Sequence, residues 1–190
     1  MSEVPSLPKS TELTERVARA FADDGDLSEA IPEFEPRPSQ RRMASAAAKL
    51  FEQGGILLAE AGTGTGKTLA YLVPAILSGQ RVLVSTGTKN LQDQIFYKDL
   101  PALREALETP ISATYMKGRN NYLCLHRFKA LQQGELEQTR VDNDTLEELS
   151  EWAAQTDTGD RAEVESLSDD IAFWSSVAAT SENCIGTDCP

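Results

Sequence analysis

Apolar residues at Leu13, Val17, Ala20 and Phe21 recur at helical spacing, which predicts an amphipathic helix starting near Ser10 as N-cap and ending at Asp23-Asp24-Gly25-Asp26. Between Ile31 and Pro38 three prolines remove backbone donors and bias their neighbours to extended geometry, so this stretch predicts no helix. Ser39 is placed to cap a second helix through Met43, Ala47, Leu50 and Phe51, which Gly54-Gly55 closes. The run from Gly55 to Glu60 is short and apolar, as a buried parallel strand requires. A Gly/Thr loop follows it, then a helix from about Lys67 to Leu77. Arg81 to Thr86 is a second β-branched run, Thr88 to Asp99 a further helix, and Ile111 to Met116 a candidate third strand. Strand and helix alternating in this way predict an α/β fold with a parallel sheet.

Past Lys117-Gly118-Arg119 the pattern changes. Asn121 to Leu131 is helical in spacing, Asp144 to Gln155 predicts an acidic helix with Leu146, Leu149 and Trp152 on its apolar side, and Thr156 to Asp170 is polar and weakly patterned. The predicted division is 1–29 as tail and helix, 30–119 as the sheet-containing part, and 120–190 as a helical insertion.

The chain has 190 residues and a formal net charge of −12, which by itself argues against a nucleic-acid partner. The distribution alters that picture. Residues 1–130 hold 16 Lys and Arg against 15 Asp and Glu, a net of +1, whereas residues 131–190 hold 2 against 15, a net of −13. The acidity is confined to one C-terminal block, which leaves the rest free to meet DNA. No stretch approaches the roughly 20 apolar residues of a membrane span, and Met1 to Ser10 lacks the apolar centre of a signal peptide. A cytoplasmic protein with no membrane partner is expected.

The strongest chemical signal is Ala61-Gly62-Thr63-Gly64-Thr65-Gly66-Lys67-Thr68, at the end of a predicted strand and the start of a predicted helix. Glycines allow the positive-φ turns and close backbone approach of a phosphate cradle, and a helix N-terminus favours negative charge. Lys67 is spaced to reach the β/γ-phosphates, and the Thr68 hydroxyl to hold Mg²⁺. The strict pattern opens on Gly where this chain has Ala61, which is small enough to keep the turn. A glycine-rich turn with no ligand is the plain alternative, and the strand–loop–helix setting disfavours it. The loop alone does not choose between kinase, GTPase, transporter and helicase.

Two flanking segments bear on that choice. Gln40 follows Phe34-Glu35-Pro36-Arg37-Pro38-Ser39, and its amide offers the donor and acceptor that an adenine edge needs; taken alone, it is more often an ordinary helix-surface residue. Ser85-Thr86-Gly87-Thr88-Lys89-Asn90-Leu91-Gln92-Asp93-Gln94 puts hydroxyls and amides where a strand gives way to a helix, which suits a phosphodiester backbone but also a simple helix cap. A small P-loop kinase or GTPase with a zinc clip would need an acceptor pocket or a guanine-reading Asn-Lys-x-Asp, which Lys89-Asn90 does not supply.

Together with Lys117-Gly118-Arg119-Asn120-Asn121-Tyr122-Leu123-Cys124, these segments resemble the start of the bacterial DinG/YoaA helicases, nearer the YoaA type, in the XPD-like group of superfamily 2. The resemblance runs from about Ala30 to the last residue. It implies a RecA-like motor domain, ATP hydrolysis, and 5′-to-3′ movement on single-stranded or forked DNA in repair or replication. On matching positions Gln40 would contact adenine, Gly62 to Thr68 would hold ATP and Mg²⁺, and Thr86, Thr88 and Gln92 would meet DNA. Cys124, Cys184 and Cys189 would be ligands of a [4Fe–4S] cluster, although such a cluster takes four thiolates and this chain has three cysteines. At residue level the rivals are zinc held with His126, and a plainly buried Cys124 beside an incidental C-terminal pair. An Asp-Glu-x-His segment, a fourth cysteine and a second motor domain are all absent, so the expectation is a truncated portion of a helicase without turnover of its own, with a stand-alone nucleotide- or zinc-binding P-loop module as the alternative.

Overall fold

The computed structural model describes residues 11–32, 34–134, 143–164 and 173–189. The predicted cap Ser10, the tail before it, and residues 165–170 of the polar stretch lie outside them. The chain divides into two compact units, Met1–Tyr115 and Met116–Pro190.

In the first unit α1 (Thr11–Ala20) buries Leu13, Val17, Ala20 and Phe21, the side chains whose spacing predicted the helix. Asp26 does not simply end it, because Asp26–Ala30 forms a short helix, α2, that buries Leu27. The next helix, α3 (Pro38–Gln53), is capped by the backbone of Arg37 and starts on Pro38 instead of being capped by Ser39. A proline at the first helical position loses no hydrogen bond, since that N–H has no partner within the helix in any case. Gly54, at φ 74°, ends α3 with its N–H on the Leu50 carbonyl.

Ala44, Ala47 and Ala48 form a buried small-residue face on α3, against which α4 (Lys67–Ser78) packs. Ala70 and Leu72 to Ala75 are all buried in α4, so this helix is enclosed on most sides, as a helix with little polar surface must be. Its first turn carries the Gly/Thr loop, so the burial fixes the loop's direction. Two side-chain ties anchor α1 to its neighbours: Thr14 donates from N and Oγ1 to Glu52, at 3.3 and 3.1 Å, and Arg16 donates to the Leu77 carbonyl at 3.1 Å. The predicted helix from Thr88 is α5 (Lys89–Gln94), running into a π-helical turn at Ile95–Asp99 and then into α6 (Leu100–Ala106).

The expected sheet is not formed. Residues 55–60, 81–86 and 111–116 adopt no helix and no ladder, and among the described residues there is no β-strand beyond isolated bridges. Ile56, Leu58 and Leu83 are more than 90% exposed, the reverse of the burial that the apolar runs predicted. An apolar run becomes a buried parallel strand only when neighbouring strands take up its backbone groups and helices cover both faces. These three segments do not pair with one another.

In the second unit, Leu125–Gln132 (α7), Asn143–Ala153 (α8) and Trp174–Val177 (α9) surround a core of Phe128, Leu149, Phe173, Trp174 and Val177. The helix expected from Asn121 begins only at Leu125, because residues 119–121 form a 3₁₀ turn and Tyr122 and Leu123 make antiparallel bridges to Asp160 and Ala178. Beneath those bridges the Lys117 ammonium meets the Asp160 carboxylate at 2.8 Å, with both side chains almost fully buried. The other Asp160 oxygen accepts from the Ala162 N–H at 3.0 Å, and the Trp174 indole N–H donates to the Asn120 carbonyl at 2.6 Å. Glu163 accepts from Trp152 Nε1, Thr156 Oγ1 and Thr158 Oγ1. Burial alone would raise the Glu163 pKa, but these three donors outweigh it and hold the carboxyl below its ordinary range.

Candidate nucleotide-binding site

The loop between 55–60 and α4 owes its shape to two glycines, for different reasons. Gly64 has φ 72°, and a Cβ there would meet open space, so conformation and not crowding selects glycine. Gly66, the N-cap of α4, has φ 75°, and a Cβ on it would lie 2.1 Å from Gln40 Nε2 and 2.8 Å from Gln40 Cδ. Here both the backbone and the neighbour demand glycine.

That neighbour is the residue predicted to read adenine. Gln40 is only 4% exposed, so the surface-helix alternative does not hold. Its Nε2 donates to the Gly66 carbonyl at 3.2 Å, and its Oε1 is buried with no hydrogen-bond partner among the described residues. Arg37 also donates to the Gly64 carbonyl. The Phe34–Gln40 segment and the loop are thus one unit, with an Arg and a Gln from the start of α3 holding two loop carbonyls. Sequence spacing anticipated a ligand role for Gln40 but not this support, and it singled out no role for Arg37. Phe34 packs its ring on Phe21, centroids 6.2 Å apart, and so fixes the segment from the core side.

The Lys67 ammonium donates to the carbonyls of Ala61 and Gly62, at 2.6 Å each, and so stands across the loop. Thr65 Oγ1 donates to the Gly62 carbonyl at 3.0 Å, while Thr63 is exposed. Within α4 the Ala70 N–H takes the Gly66 carbonyl at 3.1 Å, which leaves the N–H groups of the first turn to face the loop without helical partners. A lysine ammonium, first-turn amides and a helix dipole therefore lie at one loop, a combination that suits phosphate. Thr68 is half-buried beside Tyr71. Burial raises the Tyr71 pKa; its hydrogen bond with Thr68 opposes that rise and the nearby Asp99 carboxylate adds to it.

The predicted DNA residues lie at the start of α5. Thr88 is its N-cap, its hydroxyl oxygen accepting from the Leu91 N–H at 3.3 Å, and Thr86 Oγ1 donates to the Thr88 carbonyl at 3.2 Å. Capping occupies one lone pair of the Thr88 hydroxyl and leaves its proton able to donate. Gln92 is one turn further along α5.

Of the three thiols, Cys124 is half-buried at the N-cap of α7, while Cys184 and Cys189 are exposed. The Cys124 N–H donates to the Val177 carbonyl at 2.8 Å, which brings its segment beside the one leading to Cys184. Even so, among the described residues no three His, Cys, Asp or Glu side chains are close enough to hold one metal ion. As folded here the thiols do not form a cluster cradle. No described helix is long and apolar enough to cross a membrane.

Residues 37–128 match the protein-family model for the DEAD/DEAH box helicase. The chain is 45% identical over 172 residues to "ATP-dependent DNA helicase YoaA" of Escherichia coli (strain K12), covering 90% of this chain and 27% of that protein. To the protein of the same name from Haemophilus influenzae it is 44% identical over 179 residues, covering 92% and 27%. With "ATP-dependent helicase DinG" of Mycobacterium tuberculosis (strain ATCC 25618 / H37Rv) the identity is 35% over 171 residues, covering 79% and 26%. The chain spans about a quarter of the length of these curated relatives. The region matched by the family model includes the Arg37 and Gln40 supports, the phosphate-type loop and α5, so residues 37–128 carry a DEAD/DEAH box helicase domain, in a chain that is similar over most of its length to YoaA and DinG proteins.

Proposed function

We propose that this chain is the ATP- and DNA-engaging front portion of a 5′-to-3′ DNA helicase acting in repair or replication in the cytoplasm. The observation that carries the reading is the loop, in which Lys67, Gly64, Gly66 and the free N–H groups of α4 converge with Gln40 and Arg37 behind them. Lys67 and the loop amides would bind the phosphates, and Thr68 would take Mg²⁺. Gln40 would meet the adenine edge once its buried amide turns outward from the Gly66 carbonyl. The metal ion supplies charge neutralisation between the phosphates when bound. Thr86, Thr88 and Gln92 would meet single-stranded or forked DNA through donors to its phosphates.

The exposed apolar segments 55–60, 81–86 and 111–116 fit strands of a RecA-like sheet. Their pairing partners would lie in sequence such as the longer relatives carry. Cys124, Cys184 and Cys189 would form part of a [4Fe–4S] site, a role supported by soft thiolate chemistry and by the backbone bond that sets Cys124 beside Val177. Gathering the thiols requires rearrangement of the exposed 184–189 segment. Iron content after anaerobic purification checks this: the proposal expects bound iron that is lost in Cys124→Ser, and stoichiometric zinc or no metal refutes it.

The 190 residues contain no Asp-Glu-x-His segment to orient an attacking water. The purified chain is therefore expected to release no phosphate from ATP over many turnovers, with or without single-stranded DNA. Sustained release that disappears in Lys67→Ala would contradict that.

A further inference from the structure

An aromatic group with one exposed ring stands just past the end of α5. Phe96 and Tyr97 come from the π-helical turn, and Tyr115 from the third extended segment. The ring of Phe96 lies 4.6 Å from that of Tyr115 and 5.1 Å from that of Tyr97, centroid to centroid. The Tyr97 and Tyr115 hydroxyls share a hydrogen bond of 2.7 Å, with their ring centroids 5.7 Å apart. This trio holds Tyr97 in place, yet Tyr97 is 63% exposed. An aromatic side chain is a large source of burial energy, and core packing does not account for one fixed in the open. Ile95, two residues earlier, is buried in the core, so the turn is anchored on one side and displays Tyr97 on the other.

The surroundings select the ligand. Gln92 and Phe96 are four residues apart and so neighbours on one helical face, and Tyr97 lies roughly 7 Å along the axis from Gln92. Phe96, against which Tyr97 packs, thus lies about one turn beyond Gln92 on the segment that begins with Thr86 and Thr88. Lys89 and Lys98 are exposed along it, whereas the carboxylates Asp93 and Asp99 are partly buried. Burial raises the Asp99 pKa, which the Gln94 hydrogen bond and Lys98 only partly oppose. Cations outward and carboxylates inward suit a polyanion, and a rigid exposed ring suits its bases.

We propose that Tyr97, held by Phe96 and Tyr115, is a base-stacking platform for single-stranded DNA. This rests on the reading of Thr86, Thr88 and Gln92 as backbone contacts and adds the surface that would take the bases. Stacking on an aromatic ring is sequence-tolerant because every base has a π-face.

The test is fluorescence anisotropy of the 190-residue chain with a labelled 20-nucleotide oligo-dT and with an abasic strand of the same length. Tyr97→Ala is expected to weaken oligo-dT binding by roughly five- to hundredfold. Tyr97→Phe, which keeps the ring, stays within about threefold of the parent. The parent prefers oligo-dT to the abasic strand, and Tyr97→Ala loses that preference, a change that general destabilisation does not produce. If Tyr97→Ala binds oligo-dT like the parent while Thr88→Ala and Gln92→Ala weaken it, the stacking role is wrong and the backbone-contact reading stands. If the parent does not bind oligo-dT, both are wrong. If Tyr97→Ala instead changes only the sedimentation of the chain, the surface pairs protein copies and the proposal is overturned.

Discussion

Gly66→Ala is expected to lower affinity for Mg²⁺·ATP by more than an order of magnitude. Two independent effects add. The residue sits at φ 75°, where a side chain introduces strain of about 1–2 kcal/mol. The new Cβ would also stand 2.1 Å from Gln40 Nε2, forcing a buried amide to move and to give up its bond to the Gly66 carbonyl. An unsatisfied buried polar group of this kind costs about 1–3 kcal/mol. The combined loss is roughly 2–5 kcal/mol, and about 1.4 kcal/mol is tenfold in binding. A Gln40→Ala change in the same background removes the clash but not the strain, so affinity should return only in part. Equilibrium titration of the two variants with a fluorescent ATP analogue checks both steps. Unaltered binding by Gly66→Ala would mean that the loop does not hold this conformation.

The second large effect is in the other unit. Lys117→Met is expected to destabilise it by about 3–5 kcal/mol, because the Asp160 carboxylate would be left buried without its cation. Small domains have about 5–15 kcal/mol in total, so this single change brings the unit close to unfolding. Combining Lys117→Met with Asp160→Asn removes the stranded charge while keeping an oxygen for the Ala162 N–H, and should recover part of the loss. Urea unfolding followed through the fluorescence of Trp152 and Trp174 reads the effect. Equal midpoints for the parent and Lys117→Met would show that the pair is not buried as described. The pair also bears on function, because it fixes the segment that runs from Lys117 through Asn120 to Cys124.

What the sequence made legible depended on how local the controlling physics was. The periodicity of Leu13, Val17 and Phe21 and the loop-to-helix junction at Gly66-Lys67 are decided within a few residues, and both were visible. Pro38 opening α3 in place of Ser39 as cap is equally local, but the proline cluster masked it, since proline is a helix breaker everywhere except the first turn. Apolar runs predict strands, yet a strand is a relation between segments, and Ile56 or Leu83 becomes buried only when a partner lies alongside. The amide of Gln40 is visible in the sequence, but its contact with Gly66 joins residues 26 apart, and Lys117 with Asp160 spans a still longer separation. A lysine and an aspartate in a polar sequence carry no mark that they will be buried together. The buried Gln40 acceptor and the exposed Tyr97 ring likewise appear only once the chain is folded.

The proposed function stands or falls with the ability of Ala61 to Thr68 to hold the phosphates of a nucleotide. Isothermal titration of the 190-residue chain with Mg²⁺·ATP, beside Lys67→Ala, tests it most directly. One saturable site is expected in the parent, weakened roughly ten- to hundredfold by loss of the charge-assisted bonds of Lys67. A parent chain that takes up no nucleotide, or that binds as well without the Lys67 ammonium, would contradict it.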